Sequence, residues 1–141
     1  MYKTKRILLA VMIILVLLVV SACGNKDVRD LPSVSEFALN SATDFALEED
    51  VVKDAYIKVT EYGEITIAIQ VMDGTTEEKS KELGENTARY LSTMVDGLKG
   101  PSKDYLGELY EYYDLQIIVG TNAENTIAQG AKVSTSNKIT W

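Results

Sequence analysis

The chain has 141 residues, with 14 basic and 21 acidic side chains, no histidine and a single cysteine, which gives a net charge of −7 at neutral pH. The absence of histidine removes the residue that enzymes most often use as acid or base and that zinc sites most often use as ligand. The sequence contains no phosphate-binding glycine loop, no nucleophile elbow and no EF-hand ligand series. It therefore predicts no enzyme, no metal site and no cofactor.

The first 23 residues have the order of parts of a secretory signal peptide. Lys3, Lys5 and Arg6 precede 14 consecutive apolar residues at 7–20, and small residues then lead to Cys23. The apolar run is shorter than the roughly 20 residues that a membrane-spanning helix needs. This pattern predicts export with cleavage after residue 22.

The tetrapeptide Val20-Ser21-Ala22-Cys23 resembles the lipobox of bacterial prolipoproteins. The resemblance implies that the thiol of Cys23 receives a diacylglycerol and that a peptidase cuts between Ala22 and Cys23. Two acyl chains anchor a protein stably, whereas one holds it only marginally. An uncleaved signal anchor is the alternative, and both interpretations place the C-terminal part outside the cytoplasm, because the positive residues stay inside. We therefore expect a lipid-anchored protein on the extracytoplasmic face of the cell membrane.

Cleavage would leave 119 residues with 11 basic and 21 acidic side chains, a net charge of −10. Such a surface is repelled by nucleic acid and by anionic lipid headgroups, so no nucleic-acid partner is expected. The polar residues 23–34, which include Pro32, predict a flexible tether. Residues 35–49 fit either an irregular arm or a short helix, and residues 50–141 predict one small α+β domain.

Two runs of alternating apolar and polar residues, at 55–59 and 65–71, predict a β-hairpin with Tyr62 and Gly63 at its tip. Thr75 and Glu78 have the spacing of a capping box, and leucines at helical spacing predict a main amphipathic helix that extends to about residue 98. A shorter second helix is expected within 102–113.

Residues 115–119 predict a third strand, and the apolar residues from Ile127 to Trp141 predict one long last strand. The sum is an α+β domain of the order β-β-α-β-β, in which an antiparallel sheet carries one main amphipathic helix on one face, in two layers. In this prediction the odd-numbered apolar residues of all four strands face the helix. The opposite face is expected to be polar and mostly uncovered.

Tyrosine is concentrated in one segment, with Tyr105, Tyr110, Tyr112 and Tyr113 within nine residues, and Tyr62 stands at the predicted hairpin tip. Exposed tyrosine favours recognition, because it offers a large, rigid and partly polar surface. The spacing of Tyr110 and Tyr113 suits the core. Tyr62, Tyr105 and Tyr112 are therefore the predicted binding residues.

These features favour a non-enzymatic binding or assembly module, held at the membrane by lipid on Cys23 and contacting a protein of the cell envelope. The alternative is a carrier or sensor of a small ligand, with a pocket between helix and sheet. An exposed tyrosine patch favours the first hypothesis, and an enclosed polar pocket favours the second. A hydrolase would instead need two convergent polar residues with perturbed ionisation in a cleft.

Overall fold

A computed structural model describes residues 30–141. The four strands and the main helix follow each other as β-β-α-β-β, and the helices pack against the sheet, which confirms the predicted α+β fold. In chain order the elements are α1 (Glu36–Leu47), β1 (Val52–Val59), β2 (Glu64–Val71), α2 (Glu77–Thr93), α3 (Leu109–Tyr112), β3 (Asp114–Asn122) and β4 (Asn125–Lys132). The predicted signal peptide, the cleavage site at Ala22 and Cys23 and most of the predicted tether lie outside the described residues.

The strands lie side by side in chain order, β1-β2-β3-β4. The outer pairs are antiparallel, but the central pair β2–β3 is parallel, with Ile67 opposite Ile117. The prediction of a wholly antiparallel sheet is therefore wrong at this pair. The cause is α2, which returns the chain along the sheet so that β3 starts at the same end as β2, as parallel neighbours require.

The sheet face that packs on the helices carries the odd-numbered residues of β1, β2 and β3, as predicted. Ile57, Ile67 and Ile117 form one row across these strands, and each is at most 7% exposed. Burial of this apolar row against α1 and α2 supplies the main stabilisation of the domain.

In β4 the prediction fails, because even-numbered residues face the helices there. Leu115 pairs with Lys132 and Val119 with Ala128, so each odd residue of β3 opposes an even residue of β4. The two-residue turn between Asn122 and Asn125 starts this register, and two opposite register shifts on either side of Gly120 restore it along the rest of the pair. Ala131 is accordingly exposed.

The second face of the sheet, which carries the even-numbered residues of β1–β3, is not mostly uncovered. Thr66, Ala68 and Ile118 at its centre are at most 4% exposed. Towards the edge strands it does open, since Tyr56 is 42% exposed and Gln129 is exposed as well. The prediction of a free polar face is thus wrong for the centre of the sheet.

The ambiguous segment 35–49 contains the helix α1. The hydroxyl of Ser35 caps it by accepting a hydrogen bond from the backbone N–H of Ala38 (3.1 Å). Its buried face is a row of alanines at intervals of four residues, Ala38, Ala42 and Ala46, and these belong to the same apolar core as the strands. The small side chains let α1 lie close to β1 and α2.

The main helix α2 begins one residue later than predicted, because the N-cap is Thr76, whose hydroxyl accepts from the N–H of Lys79 (3.1 Å). It ends at Thr93, before the predicted end near residue 98. A side chain at Gly84 would overlap Ile117, so this glycine allows the helix to lie directly on β3.

The long last strand that the sequence predicts ends at Lys132, and the chain then turns back. Thr140 and Ala131 exchange two backbone hydrogen bonds of 2.8 and 2.9 Å, which places the C-terminal tail along the outer edge of β4. Ile139 and Trp141 pack over Gly130, where an added Cβ would lie 2.8 Å from each side chain. The tail thereby covers part of one of the two sheet edges.

Candidate functional site

The hairpin between β1 and β2 presents Tyr62 to solvent. The N–H of Thr60 donates to the carbonyl of Glu64 (2.9 Å), and Gly63 closes the turn at a φ of +86° that favours glycine. Tyr62 is 63% exposed at the tip. The tip is fixed to the start of β3, because the N–H of Asp114 donates to the carbonyl of Gly63 (2.8 Å).

Tyr112, on α3, lies beside this tip, and Tyr105, on the loop before α3, lies close to α3. Tyr112 is 42% exposed, and its carbonyl oxygen would lie 3.6 Å from a Cβ at Gly63. The hydroxyl of the half-buried Tyr105 donates to the carboxylate of Glu111 (2.7 Å). Desolvation first, and then this hydrogen bond, raise the pKa of Tyr105 to about 12.

We call this region the tyrosine end: Tyr62, Tyr105 and Tyr112, with the carboxylates of Glu61, Glu108 and Glu111. Its charge is mainly acidic, and Lys99 contributes a cation that lies 5.7 Å from the centre of the Tyr105 ring. A hydrogen bond to Glu61 raises the pKa of Tyr62. The three tyrosines that the sequence singles out thus share one end of the domain.

The other two tyrosines of the cluster belong to the core, as the sequence predicts. Tyr110 is completely buried and its hydroxyl donates to the carbonyl of Ala88 (2.6 Å), so α3 is attached to α2. Tyr113 is 4% exposed and its hydroxyl donates to the carbonyl of Pro32 (2.7 Å). Burial raises the pKa of both phenols.

The chain enters the domain at the tyrosine end. Leu31 packs against Gly63, with its side chain 3.6 Å from the position of a Cβ there, and Pro32 receives the hydrogen bond of Tyr113. The last residues of the predicted tether are therefore attached to the domain next to Tyr62. Whatever precedes residue 30 starts from this end.

Lys132 is a buried residue that connects β4 with α3, although the alternation in the sequence predicts it on the polar face of the sheet. Lys132 is 5% exposed, and its ammonium donates to the carbonyls of Tyr110 (2.6 Å) and Val133 (3.3 Å). Burial lowers the pKa of Lys132, while the charges of Asp114 and Glu111 oppose that shift. Its donors are engaged by carbonyls, so the role of this lysine is to connect two elements.

Two surface grooves are open to solvent, and the first of them borders the loop that carries Tyr105. One, of about 260 Å³, lies between α2, the loop before α3 and the C-terminal tail, and includes Arg89 and Trp141. The guanidinium of Arg89 already donates to Glu85 and to the carbonyls of Ser102, Lys103 and Tyr105, so it organises the loop. The second, of about 410 Å³, lies between α1 and β1.

Within residues 30–141, no three potential metal-binding side chains are grouped as a metal site would require, and no helix there has the length and apolarity to cross a bilayer. Searches against protein-family models, curated proteins and solved structures found no match for this chain. Function has to be inferred from the site itself.

Proposed function

We propose that this protein is a bacterial lipoprotein whose domain is a non-enzymatic binding or assembly module, and that the tyrosine end contacts a protein of the cell envelope. The observation that carries the proposal is the exposure of Tyr62 and Tyr112, at 63% and 42%, at one end of the domain. Tyrosine is enriched where proteins bind each other, because its ring buries a large area with little loss of conformational freedom.

The position of the tether supports a partner in or near the membrane. Asp30 is seven positions beyond Cys23, and at full extension these seven steps span about 25 Å. Since the chain enters the domain beside Tyr62, a lipid on Cys23 would keep the tyrosine end within that distance of the bilayer. A membrane protein, or a protein assembled on one, is the partner that such a position favours.

The charge of the tyrosine end defines the chemistry of this partner. The carboxylates of Glu61, Glu108 and Glu111 favour a surface with arginine, lysine or other hydrogen-bond donors. The same carboxylates disfavour anionic headgroups, so the bilayer itself is a poor ligand for this end.

The binding proposal is tested by placing a photo-crosslinking phenylalanine analogue at position 62 or 112 of the full-length protein in its native cells. We expect both positions to link to the same membrane protein, because both side chains are exposed at the tyrosine end. Glu124 is the control position, since it is exposed in the turn between β3 and β4 at the opposite end of the sheet. Equal linking from position 124, or none from 62 and 112, would contradict the proposal.

Anchoring is tested at Cys23. The change Cys23→Ala removes the only thiol of the chain, so we expect complete loss of fatty-acid label and accumulation of the uncut precursor. Growth with a fatty-acid analogue followed by gel analysis measures both. Label that persists on the Cys23→Ala protein would refute the lipoprotein assignment.

The alternative, a small-ligand carrier, receives less support. It calls for a pocket between helix and sheet, but Gly84 brings α2 directly onto Ile117. One groove lies beside this contact, and the other lies between α1 and β1, but both are open grooves and neither is an enclosed pocket.

A further inference from the structure

The outer edge of β1 offers unpaired backbone groups. Among residues 30–141, β1 pairs with β2 alone, and the N–H of Thr60 donates to Glu64 at the end of this ladder. Along an antiparallel ladder, hydrogen-bonded residue pairs alternate with non-hydrogen-bonded pairs. The backbone groups of Lys58, Tyr56 and Asp54 therefore point towards β2, and those of the odd residues from 55 to 59 point outwards.

The helix α1 does not close this edge. The groove of about 410 Å³ runs between α1 and β1 and is lined by Asn40 and Thr43 on the helix and by residues 55–57 on the strand. The edge of β4, in contrast, is partly covered by the C-terminal tail through the pair Ala131 and Thr140. An uncovered edge of this kind accepts another β-strand.

The side chains of β1 are complementary to themselves. Asp54, Tyr56 and Lys58 lie on the second face of the sheet, at intervals of two residues, and Tyr56 is 42% exposed. If two copies of β1 pair antiparallel with Tyr56 opposite Tyr56, then Asp54 of each copy lies opposite Lys58 of the other. Opposite charges in directly opposed positions stabilise strand pairing, and a shift by one pair in either direction removes both ion pairs.

The same register also matches the backbone. It places Ala55 of one copy opposite Ile57 of the other, and both have outward-pointing groups. In the isolated domain, the N–H of Ala55 donates to the carboxylate of its neighbour Asp54 (2.9 Å). In the pair, this N–H would donate to the carbonyl of Ile57 across the axis, and the carboxylate would turn to Lys58 of the second copy.

We propose that β1 pairs antiparallel with β1 of a second copy of this chain, about a two-fold axis at Tyr56, so that two four-stranded sheets form one of eight strands. The contact is isologous, and it therefore closes as a dimer. It uses an edge distinct from the tyrosine end, which stays free for its own partner, so the proposal holds or fails independently of the proposed function.

The register is tested with Tyr56→Cys in the full-length protein in membranes. Directly opposed residues of a non-hydrogen-bonded antiparallel pair have Cα atoms about 4.5 Å apart, which permits a disulfide. We expect a linked dimer on mild oxidation. The matched control is Lys58→Cys, because two such cysteines would lie four residues apart, about 13 Å, and should not link. The unchanged protein is a second control, because any disulfide that it forms must involve Cys23.

A second set of variants keeps the test valid if Tyr56→Cys does not fold. Asp54→Cys combined with Lys58→Cys should link, whereas each single change should not. In the Tyr56→Cys background, Lys58→Asp should lower the yield of linked dimer about tenfold, and adding Asp54→Lys should restore it. Resistance to limited proteolysis verifies folding in each case.

Three outcomes would overturn the proposal. The first is that neither the folded Tyr56→Cys protein nor the folded double variant Asp54→Cys/Lys58→Cys forms a linked dimer. The second is that Lys58→Cys alone forms as much linked dimer as Tyr56→Cys. The third is that the Tyr56→Cys protein links to a different protein instead of to itself. The first would mean that the charges on β1 protect a free edge, and the last that the edge accepts a strand of another protein.

Discussion

Replacing Ile67 by aspartate should unfold the domain. Ile67 is 0% exposed at the centre of the sheet, between Ile57 of β1 and Ile117 of β3, on the face that packs against the helices. The change removes a buried aliphatic side chain, which by itself costs about 2–5 kcal/mol, and buries an unpaired carboxylate as well. Since small domains are stable by only about 5–15 kcal/mol, the loss should be close to complete.

Urea unfolding of the detergent-purified protein, followed by circular dichroism, measures this effect. Gln129→Asp is the matched control, because Gln129 is exposed on β4, and it should change stability by less than about 0.5 kcal/mol. Thr66→Asp should also destabilise, since Thr66 is 4% exposed. A folded Ile67→Asp protein with an unchanged midpoint would be incompatible with the position of the core.

The sequence predicts the first hairpin and its buried face well, because the alternation in β1 and β2 is regular and both strands keep one parity. It also predicts correctly that Tyr110 and Tyr113 are core residues. The parallel pair β2–β3 is not predictable in this way, since alternation specifies a face but not a direction. That direction follows from the length of α2 and from where the chain re-enters the sheet.

The buried faces of α1 and β4 cannot be predicted from the spacing of apolar residues. The fully buried residues of α1 are alanines, whereas two of its four large apolar residues, Phe37 and Leu47, are 70% and 41% exposed, so the pattern of large side chains is misleading. The face of β4 depends on the two-residue turn after Asn122. That turn, with the two compensating register shifts at Gly120, reverses the parity and brings Lys132 into the interior.

The candidate site is predictable as a set of residues but not as a surface. Tyr62 and Tyr112 are 50 residues apart in the chain. Their segments lie at one end of the domain because the backbone of Asp114 donates to Gly63, a contact that no local pattern encodes. The attachment of residues 31 and 32 to the same end likewise depends on tertiary contacts.

A methyl group at Gly107 should strongly destabilise the segment that carries Tyr105 and Tyr112. Gly107 has a φ of +117°, which costs any other residue about 1–2 kcal/mol. Its Cβ would also overlap the side chain of Ser92 on α2, with the Ser92 Cβ only 2.7 Å away, and overpacking of this kind costs a further 1–3 kcal/mol, roughly. We therefore expect Gly107→Ala to lower the free energy of unfolding by about 3 kcal/mol.

A double-mutant cycle separates the two causes. Ser92→Gly removes the overlap but not the backbone strain, so Gly107→Ala should cost only about 1–2 kcal/mol in that background. Gly100→Ala is the control, because Gly100 has no positive φ and no atom within 4 Å of its added Cβ, and it should be nearly neutral. An equal cost of Gly107→Ala in both backgrounds would show that Ser92 does not limit the space. A neutral Gly107→Ala would contradict the described path of the chain into α3, and with it the geometry of the tyrosine end.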